Sequence, residues 1–217
     1  MLDVVPIELL NTFSEKRNCL QPFQQSKLLW PRPWLVDASP FEKTLWIDAD
    51  SIVIRPLSEL FPEIEKGVVV YTDANHPPSS PNHPKLYELL PVPKITAKFV
   101  NSGVLGLQCG RDDDLISSWK YCIEQAATRL EVRQLISWHD QGALLWALHK
   151  TMRTHLIRQD VTWNCPPHGF NASRRSERKR YSRASYLQDI RRDHPHVGIV
   201  HYMSRPKLWE LIDEDTR

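Results

Sequence analysis

Asp48 and Asp50 are the first residues whose type and spacing point to chemistry. They stand inside Phe41 to Phe61, FEKTLWIDADSIVIRPLSELF. Thr44 to Ile47 reads as a buried strand that runs into Asp48-Ala49-Asp50. Side chains alternate across a strand, so Asp48 and Asp50 point the same way and Ala49 points opposite. Two carboxylates of one orientation at the carboxyl end of a hydrophobic strand make a hard oxygen site for a divalent cation. Ligands of open α/β sheets bind at that end. Alone, Asp-x-Asp is a weak signal, because a pair of acids in a solvated turn is the commoner explanation. Its meaning depends on what the rest of the chain brings to it.

The elements that must position the pair follow from hydrophobic patterning. Ser51 to Ile54 is a second short strand, and Pro56 opens a helical turn. Gly67 to Tyr71, GVVVY, is continuously apolar, the pattern of a strand buried on both faces. Phe99 to Leu107, FVNSGVLGL, is a strand whose entry carries Asn101 and Ser102. Asp112 stands where it would cap a helix, and Leu115, Ile116, Trp119, Cys122 and Ile123 follow at helical spacing as core contacts. Another helix begins near Asp140, which sits at the N-cap position. Leu144, Leu145 and Leu148 form the expected buried stripe of that helix. Gly198 to Met203, GIVHYM, is the last strand, and Pro206 opens a terminal helix. Ahead of the acidic pair, Leu2 to Ile7 looks like a strand, and Gln25 to Val36 like one short helix broken at Pro31. Strands alternating with helices predict an α/β fold: a mixed, mainly parallel sheet flanked by helices.

Composition bounds the rest. The chain has 217 residues, 41% hydrophobic and 25% charged, with a net charge of +2. That balance gives no push toward nucleic acid, and no nucleic-acid partner is expected. With 17 Pro and 7 Gly, the loops are stiff and a Gly-rich phosphate cradle is not expected. Cys19, Cys109, Cys122 and Cys165 show no Cys-x-x-Cys spacing and read as buried or incidental thiols of a reducing compartment. The start, MLDVVPIELL, carries acids where a signal peptide would carry positive charge. The longest apolar run, Ala143 to Leu148, is too short to cross a bilayer. The expectation is a cytoplasmic protein.

Two polar segments interrupt the pattern. His76 and His83 lie in a Pro-rich loop and read as exposed histidines rather than ligands. Residues 173 to 192 hold eight basic side chains: Arg174, Arg175, Arg178, Lys179, Arg180, Arg183, Arg191 and Arg192. Within a basic loop or insertion at 168 to 194, they form either a solvated or disordered segment or a patch for an anionic acceptor, a phospholipid surface or RNA. The second reading would put the protein at the membrane periphery.

Four pieces stand in a fixed order: Asp48-Ala49-Asp50, Asn101-Ser102-Gly103-Val104-Leu105, Asp140-Gln141-Gly142, and His201-Tyr-Met-Ser-Arg-Pro-Lys207-Leu-Trp209. In these the sequence resembles glycosyltransferase family 8, the glycogenin and lipopolysaccharide galactosyltransferase type. That family carries a D-x-D, an N-[SA]-G-V strand, a D-Q pair and a terminal H-x-x-G-x-x-K-P-W. The first three are intact here. The fourth has Ser204 for the glycine and Leu208 for the proline. Ser26-Lys27-Leu28 also resembles the family's T-K-L segment. The resemblance runs from about Ser26 to Trp209, and it implies a single domain, residues 1 to 217, of the GT-A nucleotide-sugar fold. The family has a longer lead-in to its D-x-D, built on a first βαβ unit of about thirty residues or more, whereas 47 residues precede Asp48 here and Asn11 to Gln24 does not read as a good crossover helix. The expectation is therefore a fold shortened at its N-terminus.

The resemblance implies a metal-dependent transfer of a hexose from a nucleotide-diphosphate sugar, a UDP-sugar, to an acceptor that is a glycan, lipid or protein, with retention. Asp48, Asp50 and His201 would be the metal ligands. One nitrogen beside two carboxylates suits Mn²⁺ better than Mg²⁺, which is the alternative ion. Lys207, with Lys27 as a further candidate, would place positive charge on the departing diphosphate. Asn101 and Ser102 would meet the donor sugar, and Asp140 and Gln141 would act at the reacting carbon. A second reading stays open: a truncated, inactive GT-A-like domain that serves as a binding or partner module.

Overall fold

The computed structural model describes residues 32–72, 84–92, 99–136, 140–160, 162–165, 188, 190–192 and 194–201. In chain order the described elements are α1 (Arg32–Asp37), β1 (Lys43–Ile47), β2 (Ser51–Val53), a 3-10 turn (Leu57–Glu59), α2 (Phe61–Lys66), β3 (Val69–Thr72) and α3 (Pro84–Leu89). Then come β4 (Val100–Gln108), α4 (Asp113–Thr128), α5 (Leu130–Leu135), α6 (Asp140–Lys150), a 3-10 turn (Thr154–Leu156), β5 (Ile157–Arg158) and β6 (Ile199–His201). The expected strand at Leu2 to Ile7, the loop of His76 and His83, and the terminal helix after Pro206 lie outside the described residues. The chain packs as two compact units. A helical unit comprises Met1–Thr44, Ser79–Ala97 and Gln108–His155, and a sheet unit comprises Leu45–Pro78, Lys98–Leu107 and Leu156–Arg217.

The sheet unit holds a mixed sheet in the order β1-β4-β3-β5 and a two-stranded ladder of β2 and β6. β3 runs antiparallel to β4 and parallel to β5. All four residues of β3 are buried, as its unbroken apolar run requires. β1 is half-buried along its whole length rather than buried. Among the described strands it stands at one end of the sheet order. Pro56 precedes the 3-10 turn as expected, and α2 follows it. Ile64 on α2 packs with Val69, Tyr71, Val104, Trp163 and Ile199 into one apolar cluster. The approach of α2 to the sheet is close: a Cβ at Gly106 of β4 would lie 2.6 Å from Cγ1 of Ile64. Ile190, Val197, Val200 and Cys165 form a second cluster, with Ile54 packed against it.

One irregularity in β4 matters for the site. Its register with β3 runs Val69↔Gly106, Val70↔Leu105 and then Tyr71↔Asn101, Thr72↔Val100. The partner sequence thus steps from Leu105 to Asn101 and skips Ser102, Gly103 and Val104. Such bulges re-aim backbone groups. Here the carbonyl of Gly103 accepts the backbone N–H of Asp48 at 2.8 Å.

The helical unit is built on α4, against which α1, α5 and α6 pack. Leu115, Ile116, Trp119, Cys122, Ile123 and Ala126 form its buried stripe, which matches the expected spacing. α6 departs from expectation. Gly142 through Leu148, and His149 after them, are all buried, so this helix is covered all round rather than along one stripe. Two indoles anchor it: Trp119 donates to the carbonyl of Asp140 at its start at 2.8 Å, and Trp146 in its middle donates to that of Leu90 at 3.1 Å.

One local expectation is revised, and another lies outside the described residues: the stretch 25–31, where a helix was expected to break at Pro31. A helix runs from Arg32 to Asp37 after that proline. Pro33 stands in its first turn, where a missing N–H costs nothing. Asp112 occupies the N-cap of α4, but its side chain makes no capping bond. It turns back to accept the N–H of Gln108 at 2.8 Å and to pair with Arg111 at 2.5 Å. Arg153 completes this group, 2.8 Å from Asp114. Among the described residues no helix is long and apolar enough to cross a membrane.

Candidate metal centre

Asp48, Ala49 and Asp50 form the connection between β1 and β2. The N–H of Ser51 donates to the carbonyl of Asp48 at 3.0 Å, the closing bond of a β-turn. The two carboxylates therefore converge because the chain turns, not because a strand alternates. The indole N–H of Trp46 holds Oδ1 of Asp48 at 2.8 Å, which leaves Oδ2 on the side of Asp50 and His201.

His201 arrives from the far end of the chain. The antiparallel β2–β6 ladder sets Ser51 opposite His201, Ile52 opposite Val200 and Val53 opposite Ile199. The residue beside Asp50 is thus in register with the histidine. Cys165 braces the other side of β6: its N–H donates to Ile199 at 3.0 Å, and its carbonyl accepts from His201 at 2.9 Å. The imidazole Nε2 lies 3.0 Å from Oδ1 of Asp50 and 3.6 Å from Oδ2 of Asp48. One ligand atom from each of the three residues falls within 4.8 Å of the others. His201 is buried, while the two carboxylates stay partly open to solvent.

The residues fit a divalent cation. Three donor atoms converge on one point, two hard oxygens and a borderline nitrogen, which is a donor set of first-row transition ions. The second ring nitrogen is also engaged, as in most metal-binding histidines. Nδ1 of His201 lies 3.2 Å from Oδ1 of Asn101 and 3.1 Å from Oδ1 of Asn164.

The other expected site residues divide. Asn101 and Ser102 are buried on β4, and Asn101 reaches the His201 ring itself. Asp140 and Gln141 open α6 in the helical unit. There Asp140 is buried and faces Arg32, with Nη1 3.1 Å from its Oδ2. Lys27, Lys207, Ser204 and Leu208 lie outside the described residues. So does the basic segment, apart from Gln188, Ile190, Arg191 and Arg192, of which the two arginines are exposed. Sequence reasoning missed Asn164, Trp46 and Arg32. Only Trp46 had a usable signal, its position two residues before Asp48. Nothing in the local pattern marks Asn164 or Arg32.

No family model and no curated protein matches the sequence. Solved structures do match. The WbbM bifunctional glycosyltransferase aligns at 13% identity and a TM-score of 0.52, over 83% of this chain and 32% of that one. The galactosyltransferase LgtC, solved with donor and acceptor sugar analogs, aligns at 17% identity and 0.46, over 83% of this chain and 59% of that one. GlyE of Streptococcus pneumoniae TIGR4 aligns at 18% and 0.43, over 83% and 38%. The chain thus spans less than two thirds of the length of each. The fold is GT-A-like, similar to that of the WbbM bifunctional glycosyltransferase, and it carries an Asp-x-Asp and histidine cluster able to hold a metal ion.

Proposed function

We propose that this chain is a metal-dependent glycosyltransferase that moves a hexose from a nucleotide-diphosphate sugar, a UDP-sugar, to an acceptor, with retention at the anomeric carbon. The observation that carries the reading is the convergence of Asp48, Asp50 and His201 on one point of a GT-A-like fold. These three residues would hold Mn²⁺, with Mg²⁺ as the alternative. A divalent ion bound there supplies Lewis-acid stabilisation of the charge that builds on a departing diphosphate. Lys207 and Lys27 add positive charge toward the same phosphates. Asn101, Ser102, Asp140 and Gln141 carry the amide, hydroxyl and carboxylate groups that match the hydroxyls of a saturated sugar. The basic segment 173 to 192 suits an acceptor at an anionic surface, a contact that added salt would weaken.

The test is Mn²⁺-dependent release of UDP from a panel of UDP-sugars, comparing the wild-type chain with Asp50→Ala. Release by the wild type alone supports transfer chemistry at this site. Equal release by both proteins, or none by either, removes it. Mn²⁺ binding by the wild type without release from any nucleotide sugar would leave an inert binding module.

A further inference from the structure

We propose that Asn101, Asn164 and Gly103 form a cradle that holds the His201 imidazole as its Nδ1–H tautomer and presents Nε2 to the Asp48–Asp50 pair. The inference deepens the metal-centre reading and rests on it. It assigns Asn101 a positioning role, and it brings in Asn164 and Gly103.

The tautomer follows from a chain of donors and acceptors that begins at the backbone. The N–H of Gly103 can only donate, and it lies 2.8 Å from the Asn101 side-chain atom placed as Oδ1. That atom must therefore be the amide oxygen, which settles the orientation of Asn101. The Asn164 atom 2.9 Å from this oxygen must in turn be its NH₂ group. The oxygen of Asn164 is then the atom that lies 3.1 Å from Nδ1 of His201. Nδ1 thus faces two amide oxygens, at 3.1 and 3.2 Å, and neither can donate to it. Nδ1 has to carry the hydrogen. Nε2 is the atom nearest the two carboxylates, so a cation seated among the three would take its lone pair while the hydrogen on Nδ1 stays in place.

Gly103 shapes the floor of the cradle. A Cβ there would lie 2.2 Å from Cε1 and 2.3 Å from Nδ1 of His201, and 2.9 Å from Oδ1 of Asn101. No side chain fits unless the ring moves. The requirement is one of space, since Gly103 is not among the described residues with positive φ. It arises where β4 slips its register against β3 and swings Gly103 out of that ladder. The same bulge that takes the N–H of Asp48 thus also seats the histidine. All three supporting residues are in the sheet unit, on two different segments, so the ring is held from two directions. Such outer partners are typically worth 10- to 100-fold in metal affinity.

The experiment uses the full chain and Mn²⁺ alone, with two readouts. Side-chain ¹⁵N shifts of His201 in metal-free protein report whether Nδ1 carries a hydrogen. Calorimetric titration with Mn²⁺ reports affinity. The expected wild-type result is Nδ1–H. Asn101→Ala and Asn164→Ala should each shift the ring toward a mixture of tautomers and weaken Mn²⁺ binding about 10- to 100-fold. Gly103→Ala should weaken it at least as much. A wild-type ring whose Nδ1 carries no hydrogen overturns the inference even if no variant folds. So do variants that keep wild-type affinity and tautomer. If the wild type shows Nδ1–H but binds no Mn²⁺, the cradle stands and the metal-centre reading falls.

Discussion

The sheet unit and the helical unit each set a carboxylate against a nitrogen-bearing side chain, and they do so in opposite styles. In the helical unit, Asp140 is buried against the Arg32 guanidinium at 3.1 Å. In the sheet unit, Asp48 and Asp50 stay partly open to solvent and converge on an imidazole. An arginine keeps its charge under all ordinary conditions, so it balances a buried acid permanently. An imidazole held at Nδ1 offers a lone pair at Nε2, a group suited to binding rather than to balancing charge. The first arrangement stabilises one conformation. The second is built to take up a partner.

The largest effect that would break this contrast is functional. Asp50→Ala should lower Mn²⁺-dependent UDP release at least about 100-fold, equivalent to roughly 3 kcal/mol of lost charge stabilisation. The thermal midpoint should barely move, because the carboxylate is partly exposed. A large loss of stability without loss of turnover would place Asp50 in the structural class with Asp140.

Next comes the reverse case. Asp140→Ala removes the carboxylate 3.1 Å from the buried Arg32 guanidinium, and breaking a buried pair in this way should cost about 3–5 kcal/mol. Urea denaturation would show this as a lowered midpoint. The paired swap Arg32→Met with Asp140→Leu should recover most of that stability, since apolar replacements of buried pairs are often neutral or better. It should not recover UDP release, because Asp140 is also proposed to act at the sugar. Restored turnover in the double variant would confine Asp140 to a structural role.

A smaller effect tests the scaffold of the site. Gly106→Ala pushes a Cβ against Ile64 and Val69 and should cost about 1–3 kcal/mol by overpacking. Mn²⁺ affinity should survive where the fold does, because Gly106 lies three residues beyond the cradle.

The smallest effect uses thiols as reporters of each unit. Cys109 is exposed, whereas Cys122 in α4 and Cys165 beside β6 are buried. Burial pushes the Cys165 thiol up to about 12 and raises that of Cys122 as well. A raised thiol is almost entirely protonated near pH 8, and only the thiolate reacts. Iodoacetamide should label Cys109 at once. Cys165, in a short ladder, should follow in mild denaturant, and Cys122 should label last. Labelling of Cys122 before Cys165 would reverse the expected order of opening.

Much of this was legible from local pattern. The apolar run at Gly67 to Tyr71 announced β3, and the spacing of Leu115, Trp119 and Cys122 announced α4. Both signals depend only on periodicity, which a few adjacent residues carry. The acids and the histidine were legible as types in order along the chain. Other features were not, because they depend on partners distant in sequence. β1 was expected to be buried, yet it is half-buried along its whole length. Asp112 was expected to cap α4, yet Arg111 and Arg153 draw it away. Asp140 stands at the start of its helix as foreseen, but no local rule names Arg32 as its partner.

Residue chemistry and short-range periodicity were therefore enough to nominate two carboxylates and an imidazole and to place most strands and helices. Tertiary structure alone decided that a turn, a register slip in β4 and the β2–β6 ladder would bring those three groups within 4.8 Å of one another. It also decided which ring nitrogen faces the acids. A protonation site is set by whichever donors and acceptors surround it, and here those come from Asn101 and Asn164, residues far apart along the chain.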